Sequence, residues 1–540
     1  MSLVNRWLVI VIGWSIVLAL LMQGPQVLRM MRPEFQGVLT VLNSDETVYR
    51  ARVQEALMGR PEQAAEAFVG DPNLRGTQPA VLEAAIGILF SPTDLRAPTV
   101  LQILDSVIPV LLFLGIVAFF GLSGIPLGWA VAGGIVFTTL ELYNLNRPVH
   151  QAGSTLVVVA AMTGILLGLR GSALAAAVGG ALLGSLFGMT FWPWSFGWAW
   201  WGIMLVITAA VALRSRASIL TDRSVRALLI AGCFGVLAGL PFILQLFGAS
   251  RDPLWPDAVF RSGMHPSRLP ESWAYSVLFF VIVGGMLGTF LRNERMRRHT
   301  PLLAMVVSLF IVMHQQVIHG QVFNFVSHYL MFMVVAAVGA VCLAAIHRRP
   351  LLIISGLAAA VYLAAIGYDG RFVLRQWNPA NADWSEQHLA SALPTLDALP
   401  RARILTDLET SGWISGFTHH DVGYNLYLKN VMMSHRELAE RYCLTQLPVL
   451  SAARHIADQP RLIYPDARAA FPDAATKEGE IALVEEACAD LDEDPAGSLQ
   501  RYDITHVLWN SAVHPEWDLS RLKIPLKSVS AGEGWSLYGL

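Results

Sequence analysis

Two adjacent carboxylates, Asp45 and Glu46, follow the first long apolar run of the chain. On a helix, Asp45, Tyr49 and Arg52 would lie near one line of the surface, because residues three and four apart are neighbours there. A carboxylate so placed can act as a general base on an incoming hydroxyl. A nearby cation can stabilise charge on a departing phosphate. The plainer alternative is a solvated helix start, since Asn43 and Glu46 have the spacing of a capping box.

A second polar group, HQQVIHGQVFNFVSHYLMF, joins two apolar runs between His314 and Phe332. Its candidate substrate-binding or phosphate-binding residues are His314, Gln315, Gln316, His319, His328 and Tyr329. Ionisable side chains at membrane depth are costly, so the pattern indicates a water-filled cavity or a bound ligand. Interfacial anchoring by His, Gln and Tyr is the structural alternative. A zinc site is disfavoured, because His314 and His319 lack the spacing and the glutamate of an HExxH motif.

A third polar group, ELYNLNRPVHQ, occupies residues 141–151. Glu141 adds a carboxylate beside an apolar run, and the planar guanidinium of Arg147 suits a phosphate. A polar turn whose arginine reaches the membrane interface is the alternative. Farther along, THHD at 418–421 contains metal-ligand residue types, although adjacent histidines near a helix boundary more often pack or lie at the surface.

Composition assigns the class of protein. Hydrophobic residues make up 54% of the 540 residues and charged residues 14%, and the mean hydropathy is +0.50. No ordinary soluble domain has this balance, so the chain is an integral membrane protein. A net charge of −2 argues against a nucleic-acid partner, which needs a clustered basic face. Cys443 and Cys488 lie in a polar region and would pair if that region is extracytoplasmic, or else remain free thiols.

Apolar runs of about 17 to 22 residues match the thickness of a bilayer core. Eleven such runs are predicted as spans: 7–23, 100–122, 126–142, 154–169, 172–189, 195–213, 227–247, 272–291, 301–318, 328–346 and 351–367. The first resembles a secretory signal, but its apolar run is long and no clean small-residue cleavage site follows it. We therefore expect a polytopic α-helical membrane protein with about eleven transmembrane helices.

Arginines concentrate in the connections on one side of this topology, which the positive-inside rule assigns to the cytoplasm. These connections hold Arg214, Arg216, Arg223, Arg226, Arg292, Arg295, Arg297, Arg298, Arg348 and Arg349. The short connections on the opposite side hold fewer, namely Arg147, Arg251, Arg261 and Arg268. The N-terminus is thus expected in the cytoplasm, with the loop 24–99 and the segment 368–540 outside. Asp45 and the histidine-rich turn would then face the same side of the membrane.

Two domains are expected, a membrane domain at 1–367 and an extracytoplasmic α/β domain at 368–540. In the loop 24–99, the apolar segment 80–90 is too short to span the membrane and should lie along its interface. In the second domain we expect strands at 402–407, 504–510, 525–530 and 535–540, and helices at 410–417, 435–444 and 477–491. This alternation favours an open sheet. No glycine-rich phosphate motif follows a strand.

The whole arrangement resembles the GT-C superfamily of membrane glycosyltransferases, which includes oligosaccharyltransferases, protein O-mannosyltransferases and aminoarabinose transferases. The resemblance rests on SDETVYRARVQEAL at 44–57, the short helix at about 79–91, roughly eleven spans and an outer C-terminal domain. It is similar to bacterial GT-C-like proteins with a DE-x-x-Y-x-x-R-V motif and a QQ-x-I-x-G…HY segment. That segment here comprises Gln315, Gln316, Ile318, Gly320, His328 and Tyr329.

The resemblance implies an inverting transfer of sugar from a polyprenyl-phosphate donor to a glycan, lipid or protein acceptor. Asp45 would be the base and Glu46 its neighbour or alternate, with Mg²⁺ or Mn²⁺ at this pair if a divalent cation is used. The candidates for phosphate and sugar are Arg52, Arg147, His319 and His328. Many relatives carry an arginine near the donor phosphate late in the chain, whereas this sequence has His328 beside Tyr329. The implied location is the bacterial inner membrane with a periplasmic C-terminal domain.

Two other functions would use the same outward polar cavity. A lipid or glycan transporter or flippase would bind without bond chemistry, and it would more often show broken helices in two matching halves. No such repeat is visible in the sequence. A non-catalytic protein could instead bind cell-envelope glycan through its outer domain.

Overall fold

The computed structural model describes residues 3–40, 45–214, 222–323, 326–367, 376–378, 380, 382–449, 456, 459, 462–464 and 473–540. The chain forms two compact units. The helical unit comprises Met1–Pro25, Gln102–Leu246 and Pro266–Pro379. The mixed unit comprises Gln26–Leu101, Phe247–His265 and Ala380–Leu540. The first loop is thus grouped with the C-terminal region, whereas the sequence prediction placed it within the domain 1–367.

Helices dominate the chain. In chain order they are α1 (Leu3–Met30), α2 (Glu46–Leu57), α3 (Val81–Phe90), α4 (Ala97–Leu122), α5 (Leu127–Leu140), α6 (Leu142–Leu145), α7 (Ser154–Leu169), α8 (Ala173–Ser185), α9 (Phe191–Arg214), α10 (Arg223–Ala249), α11 (Trp255–Arg261), α12 (Trp273–Arg292), α13 (Thr300–Met313), α14 (Gln315–His319), α15 (Leu330–His347), α16 (Pro350–Ile366), α17 (Leu393–Ala398), α18 (Leu408–Phe417), α19 (His435–Gln446), α20 (Ala474–Glu493) and α21 (Pro495–Arg501). A π-helical turn covers Pro148–Gly153.

Each of the eleven predicted spans coincides with a helix, because a backbone in lipid must satisfy its hydrogen bonds within the segment. In the described residues, eight helical segments are long and apolar enough to cross a membrane. The other three predicted spans coincide with the shorter apolar helices Leu127–Leu140, Ala173–Gly188 and Pro350–Ile366. The prediction of a multi-pass helical membrane protein is confirmed.

The predicted span 301–318 ends early in the structure. Helix α13 stops at Met313, His314 leaves helical geometry, and α14 follows as a separate turn. Gly320 then adopts a left-handed conformation with φ of +80°, which glycine accepts without the steric cost of a Cβ. The polar residues that follow Met313 therefore coincide with a break in the apolar helix.

The mixed unit contains a five-stranded sheet whose order is β4-β3-β5-β7-β6. The chain's strands are β1 (His265–Pro266), β2 (Gln321–Val322), β3 (Arg403–Leu405), β4 (Asp421–Val422), β5 (His506–Trp509), β6 (Lys527–Gly532) and β7 (Trp535–Gly539). Strands β4, β3 and β5 are parallel, with Ile404 aligned to Val422 and His506. Strands β7 and β6 extend the sheet antiparallel. The expected strands and helices of the C-terminal region are confirmed.

The first loop shares the core of this sheet. Val48, Ala51 and Phe68 are buried in one apolar cluster with Trp413 and Val507. Helix α2 lies between α3 and α18 because glycines permit close approach on both sides. A Cβ on Gly412 would lie 2.2 Å from Thr47 Cγ2, and one on Gly87 would lie 2.6 Å from the carbonyl oxygen of Ala56. Helix α2, which follows Asp45, is therefore held between two other helices of the mixed unit.

Helix α3 has one polar and one apolar side. Glu83 is buried, whereas Ile88 and Leu89 remain 76% and 68% exposed. Large exposed apolar side chains on a short helix are typical of a segment that lies in a membrane interface. This exposure agrees with the expected interfacial position of α3, and its location at the outer leaflet stays a prediction.

Cys443 and Cys488 form a disulfide that joins α19 to α20, with Cα atoms 5.0 Å apart. Replacing both by alanine is expected to lower the free energy of unfolding by about 2–4 kcal/mol, because the bridge closes a long loop in the unfolded chain. Thermal melts of the full chain in detergent measure the loss.

The control for this experiment is Cys233→Ala, which removes an unbridged cysteine. Alkylation of Cys443 and Cys488 in intact cells also tests the predicted outer location of the C-terminal domain, since disulfides persist in oxidising compartments. Labelling of Cys443 and Cys488 without prior reduction would contradict both the bridge and that location.

Candidate functional site

Asp45 immediately precedes α2 and is half-buried. Its carboxylate does not cap the helix, although the positive end of the helix dipole favours a negative charge there. The predicted capping residue Asn43 lies outside the described residues. Because α2 is packed on two sides, Asp45 is held at a fixed point on the mixed unit while part of its surface remains accessible.

Lys429, in the 3₁₀ helix Leu426–Asn430, interacts electrostatically with Asp45. Burial lowers the pKa of Lys429 to about 8, and the attraction of Asp45 opposes that shift. Its Nζ atom lies 5.5 Å from the ring centroid of Tyr427. Sequence reasoning missed this lysine. The available signal was its rarity, because Lys429 is one of only four lysines in the chain.

Tyr49 stands one helical turn after Asp45, as predicted. Burial raises the pKa of Tyr49 well above its ordinary value, and the guanidinium of Arg52 opposes this shift. Asp45 raises that pKa further. The phenol therefore stays protonated at physiological pH and can donate a hydrogen bond. Asp45 thus interacts electrostatically with Tyr49 and with Lys429, and the Cζ atom of Arg52 lies 5.9 Å from the centroid of the Tyr49 ring.

Arg52 also forms a buried ion pair on the same unit. Its Nε atom lies 2.7 Å from Glu83 Oε1, and the two side chains are only 7% and 4% exposed. Its Nη2 atom donates to the carbonyl oxygen of Pro79 at 2.9 Å. Burial raises the pKa of Glu83, and the charge of Arg52 opposes that shift. Arg52 therefore ties α2 to α3.

The two adjacent carboxylates have different electrostatic partners. Glu46 is 7% exposed and interacts with the Arg29 guanidinium, whereas Asp45 interacts with Lys429. Arg29 is fixed by a 2.8 Å hydrogen bond from Nη1 to Thr40 Oγ1. A shared Mg²⁺ or Mn²⁺ would need both carboxylates to converge on one ion. A divalent cation at this pair stays a prediction, and the mechanism proposed below uses the chain's own groups.

The helical unit brings two of the predicted polar groups together. His150, on the π-helical turn, lies with its ring centroid 5.8 Å from that of His328 and 6.0 Å from that of Trp192. Turns of this type are often found at functional sites. His150 belongs to the third polar group at 141–151 but was not selected, because a single histidine carries no spacing signal. This juxtaposition supports a ligand role for His328.

Other predicted residues of the third group form local contacts. Glu141 is buried and accepts a 2.6 Å hydrogen bond from Asn144 Nδ2. Arg147 donates to the Tyr143 hydroxyl at 3.0 Å and lies over that ring, with Cζ 4.8 Å from the centroid. The guanidinium of Arg147 is thus oriented by Tyr143, and its phosphate-binding role stays a prediction.

The histidine-rich turn is anchored by several short contacts. His314 contacts Ser276 Oγ at 2.8 Å and the carbonyl oxygen of Phe310 at 2.6 Å. Gln316 is buried and donates to the carbonyl oxygen of Leu269, while Gln315 is half-buried. His319 is exposed, and the buried hydroxyl of Tyr329 lies 3.0 Å from Ser195 Oγ. His319 is therefore the most accessible of these predicted ligands.

Two clusters in the mixed unit contain metal-ligand residue types. In THHD, His420 uses one nitrogen toward the carbonyl oxygen of Leu396 and accepts from the amide of Ala402 with the other. Its neighbour His419 contacts the carbonyl oxygen of Leu399. Both histidines are therefore packing residues.

The second cluster comprises Asp407, Glu409 and His514, which are close enough to surround an ion. The hydrogen bond to Glu409 raises the pKa of His514 to about 9, although burial opposes the shift. A protonated imidazole has no lone pair for a metal. Asp407 is also used as the cap of α18, where it accepts from the amide of Thr410. The cluster is best described as an ion-paired helix cap.

Comparison with known proteins gives little beyond general architecture. The chain matches no protein-family model and no curated protein. It is similar to the crystal structure of ArnT from Cupriavidus metallidurans in the apo state, with 13% identity, a TM-score of 0.43 and coverage of 100% of this chain and 98% of that one. It is also similar to the arabinofuranosyltransferase AftD from Mycobacteria, with 13% identity, a TM-score of 0.44 and coverage of 100% of this chain and 42% of that one. At these values neither likeness supports an argument about activity.

Proposed function

We propose that the chain is an inverting glycosyltransferase of the GT-C type at the outer face of a bacterial inner membrane. It would transfer a sugar from a polyprenyl-phosphate donor to a hydroxyl of a glycan, lipid or protein. The observation that carries this proposal is the half-buried Asp45 at the start of α2, which interacts electrostatically with Lys429 and with the protonated phenol of Tyr49. These groups match the roles of base, cation and hydrogen-bond donor.

In the proposed reaction, Asp45 takes the proton of the acceptor hydroxyl. The acceptor oxygen forms a bond to the anomeric carbon as the bond from that carbon to the phosphate oxygen breaks. Inversion follows because attack and departure occur on opposite faces of the sugar. Lys429 attracts the negative phosphate as charge develops on it, and Tyr49 donates a hydrogen bond to the sugar or acceptor. The products are the glycosylated acceptor and polyprenyl phosphate.

The lipid nature of the donor is supported by α3. Its exposed Ile88 and Leu89 belong to the same unit as Asp45, and Arg52 ties α3 to the helix that follows Asp45. A carboxylate on a unit that rests on the membrane can meet a headgroup whose tail stays in the bilayer. Arg147, His319 and His328 remain our candidates for further phosphate or sugar contacts.

The proposal is tested by reconstituting the full chain in vesicles with a bacterial lipid extract that contains polyprenyl-phosphate sugars. Transfer should release polyprenyl phosphate, which mass spectrometry detects, at a rate that depends on added acceptor glycan. Movement of intact donor lipid between leaflets without release of polyprenyl phosphate would favour a flippase. Binding of glycan with neither event would favour a non-catalytic role.

Lys429 should give donor binding a distinctive pH dependence. Its folded-state pKa of about 8 is below the ordinary value, so the ammonium charge is present below pH 8 and is lost as the pH rises through that value. We expect the KM for the donor to rise by about 10- to 100-fold across this interval, since a hydrogen bond to a charged group contributes about 1.5–3 kcal/mol. Initial rates between pH 6.5 and pH 9.5 measure the change, with that range chosen as roughly 1.5 units on either side of the pKa.

Two variants isolate the charge of Lys429. K429R keeps a cation throughout this range and should flatten the pH profile, because arginine stays protonated. K429M should show a high KM at every pH without a loss of stability, because removing a partly desolvated charge relieves its burial cost. A wild-type profile that persists in K429M would exclude this lysine from donor binding.

A further inference from the structure

A cavity lies in the helical unit. It has a volume of about 260 Å³ and is bordered by the end of α4, the ends of α7 and α9, and the starts of α10 and α13. A single water needs only about 10–15 Å³ on this measure, so the space suits a larger occupant. The arginine distribution assigns these helix ends to the cytoplasmic side of the membrane.

Three arginines line this cavity: Arg170, Arg297 and Arg298. Two of them are held in place by the protein. Arg170 Nη2 donates to the carbonyl oxygen of Leu122 at 3.1 Å. Arg298 Nε donates to His299 Nε2 at 3.0 Å, and His299 Nδ1 donates to the carbonyl oxygen of Ser123 at 2.9 Å. Each anchored guanidinium keeps further N–H donors for a ligand, because arginine has five.

The cavity has an unbalanced positive charge. None of the described residues that line it is acidic. Glu294 pairs with Arg297 at 2.6 Å, but Glu294 is 80% exposed, and such surface pairs neutralise little. Asp222 accepts hydrogen bonds from the amides of Ser224 and Val225, so it is used as the cap of α10. The cavity therefore favours an anion.

The remaining lining is divided by polarity. The hydroxyl side chains are Thr208, Ser224 and Thr300, and the apolar side chains include Leu122, Leu166, Leu169, Met204, Ile207 and Val211. A small soluble anion would make no favourable contacts with this extensive apolar wall. A phospholipid presents a negative phosphodiester next to a glycerol backbone and acyl chains, which matches both parts of the lining.

We propose that this cavity binds the headgroup of an anionic phospholipid from the cytoplasmic leaflet. Arg170 and Arg298 contact the phosphodiester, the hydroxyls contact the headgroup, and the apolar side chains contact the proximal acyl chain. The site would fix the position of the spans α4, α7, α9 and α13 in an anionic membrane. It uses none of the residues assigned to sugar transfer.

The test is native mass spectrometry of the full chain in detergent, titrated with phosphatidylglycerol. Wild type should retain one tightly bound lipid, and R170Q/R298Q should bind it about 30-fold more weakly, since each arginine near a charged surface contributes roughly a five-fold factor. The matched control is R292Q/R295Q, which removes two exposed arginines that do not line the cavity. That control should bind like wild type.

A second variant and two further probes complete the design. V211W keeps all three arginines, and its larger side chain should occupy part of the cavity and weaken lipid binding. This variant tests the proposal even if R170Q/R298Q folds poorly. Phosphatidylcholine with the same acyl chains, and inorganic phosphate, should each bind wild type much more weakly than phosphatidylglycerol. Equal binding of either probe, or undiminished lipid binding by V211W and R170Q/R298Q, would overturn the proposal.

Discussion

Replacing Asp45 by asparagine is expected to lower kcat for sugar transfer by about 10²- to 10⁴-fold, the range that a positioned general base contributes. Asparagine has nearly the same shape and is accepted at helix N-termini, so the start of α2 should be preserved. The KM for the donor should change little, because Lys429 supplies the charge that attracts the phosphate. Release of polyprenyl phosphate over time measures kcat, and a thermal melt verifies that the variant is folded.

The matched control is E62Q, which removes an exposed carboxylate from the same unit. It should retain wild-type kcat. A D45N variant that also retained wild-type kcat would exclude Asp45 as the base, whatever the family resemblance. A D45N variant that binds donor normally but shows no turnover would separate the enzyme from a binding protein, because only an enzyme loses a rate when its base is removed.

The elements of this fold were predictable where local signals are strong. A long apolar run in lipid forms a helix because its backbone hydrogen bonds must be satisfied within the segment. Helices α4, α10 and α15 follow such runs closely. In the C-terminal region, β5 and α20 are encoded by a short buried run and by an amphipathic period, respectively. The break after Met313 was also visible, since histidine and glutamine are costly in a membrane-length helix.

Contacts between distant parts of the chain were not predictable from the same signals. Lys429 interacts electrostatically with Asp45 from a short 3₁₀ helix that has no motif, and only the fold of the mixed unit brings them together. Likewise, nothing local indicates that Val48 and Phe68 share a core with Val507. Apolar periodicity reports that a face is buried, but it does not identify the partner that covers the face.

The interpretation of Arg52 shows the same limit. Its spacing predicted a helix surface shared with Asp45 and Tyr49, and the family resemblance implied a phosphate ligand. Glu83 lies in the next helix of the loop and carried no signal of pairing. Because the Arg52–Glu83 pair is buried, the structure assigns Arg52 a strong role in joining α2 to α3.

This assignment predicts a large loss of stability in E83Q. The change leaves the Arg52 guanidinium buried without its anionic partner, which typically costs about 3–5 kcal/mol. The double variant R52M/E83M should recover most of that loss, because apolar side chains of similar volume can replace a buried ion pair at little cost. Melting temperatures of the full chain in one detergent compare the three proteins.

The control R75M removes an exposed arginine from the same loop and should melt like wild type. The same variants decide between the two roles of Arg52. If Arg52 mainly joins the helices, R52M/E83M should fold and keep a donor KM within a few-fold of wild type, since the charge at the site comes from Lys429. If Arg52 instead binds the phosphate, the double variant should melt normally yet lose about 10- to 100-fold in donor affinity, as expected for a lost charge-assisted hydrogen bond. The two assignments therefore differ in the donor KM of R52M/E83M, and the melting temperature of E83Q tests the buried ion pair separately.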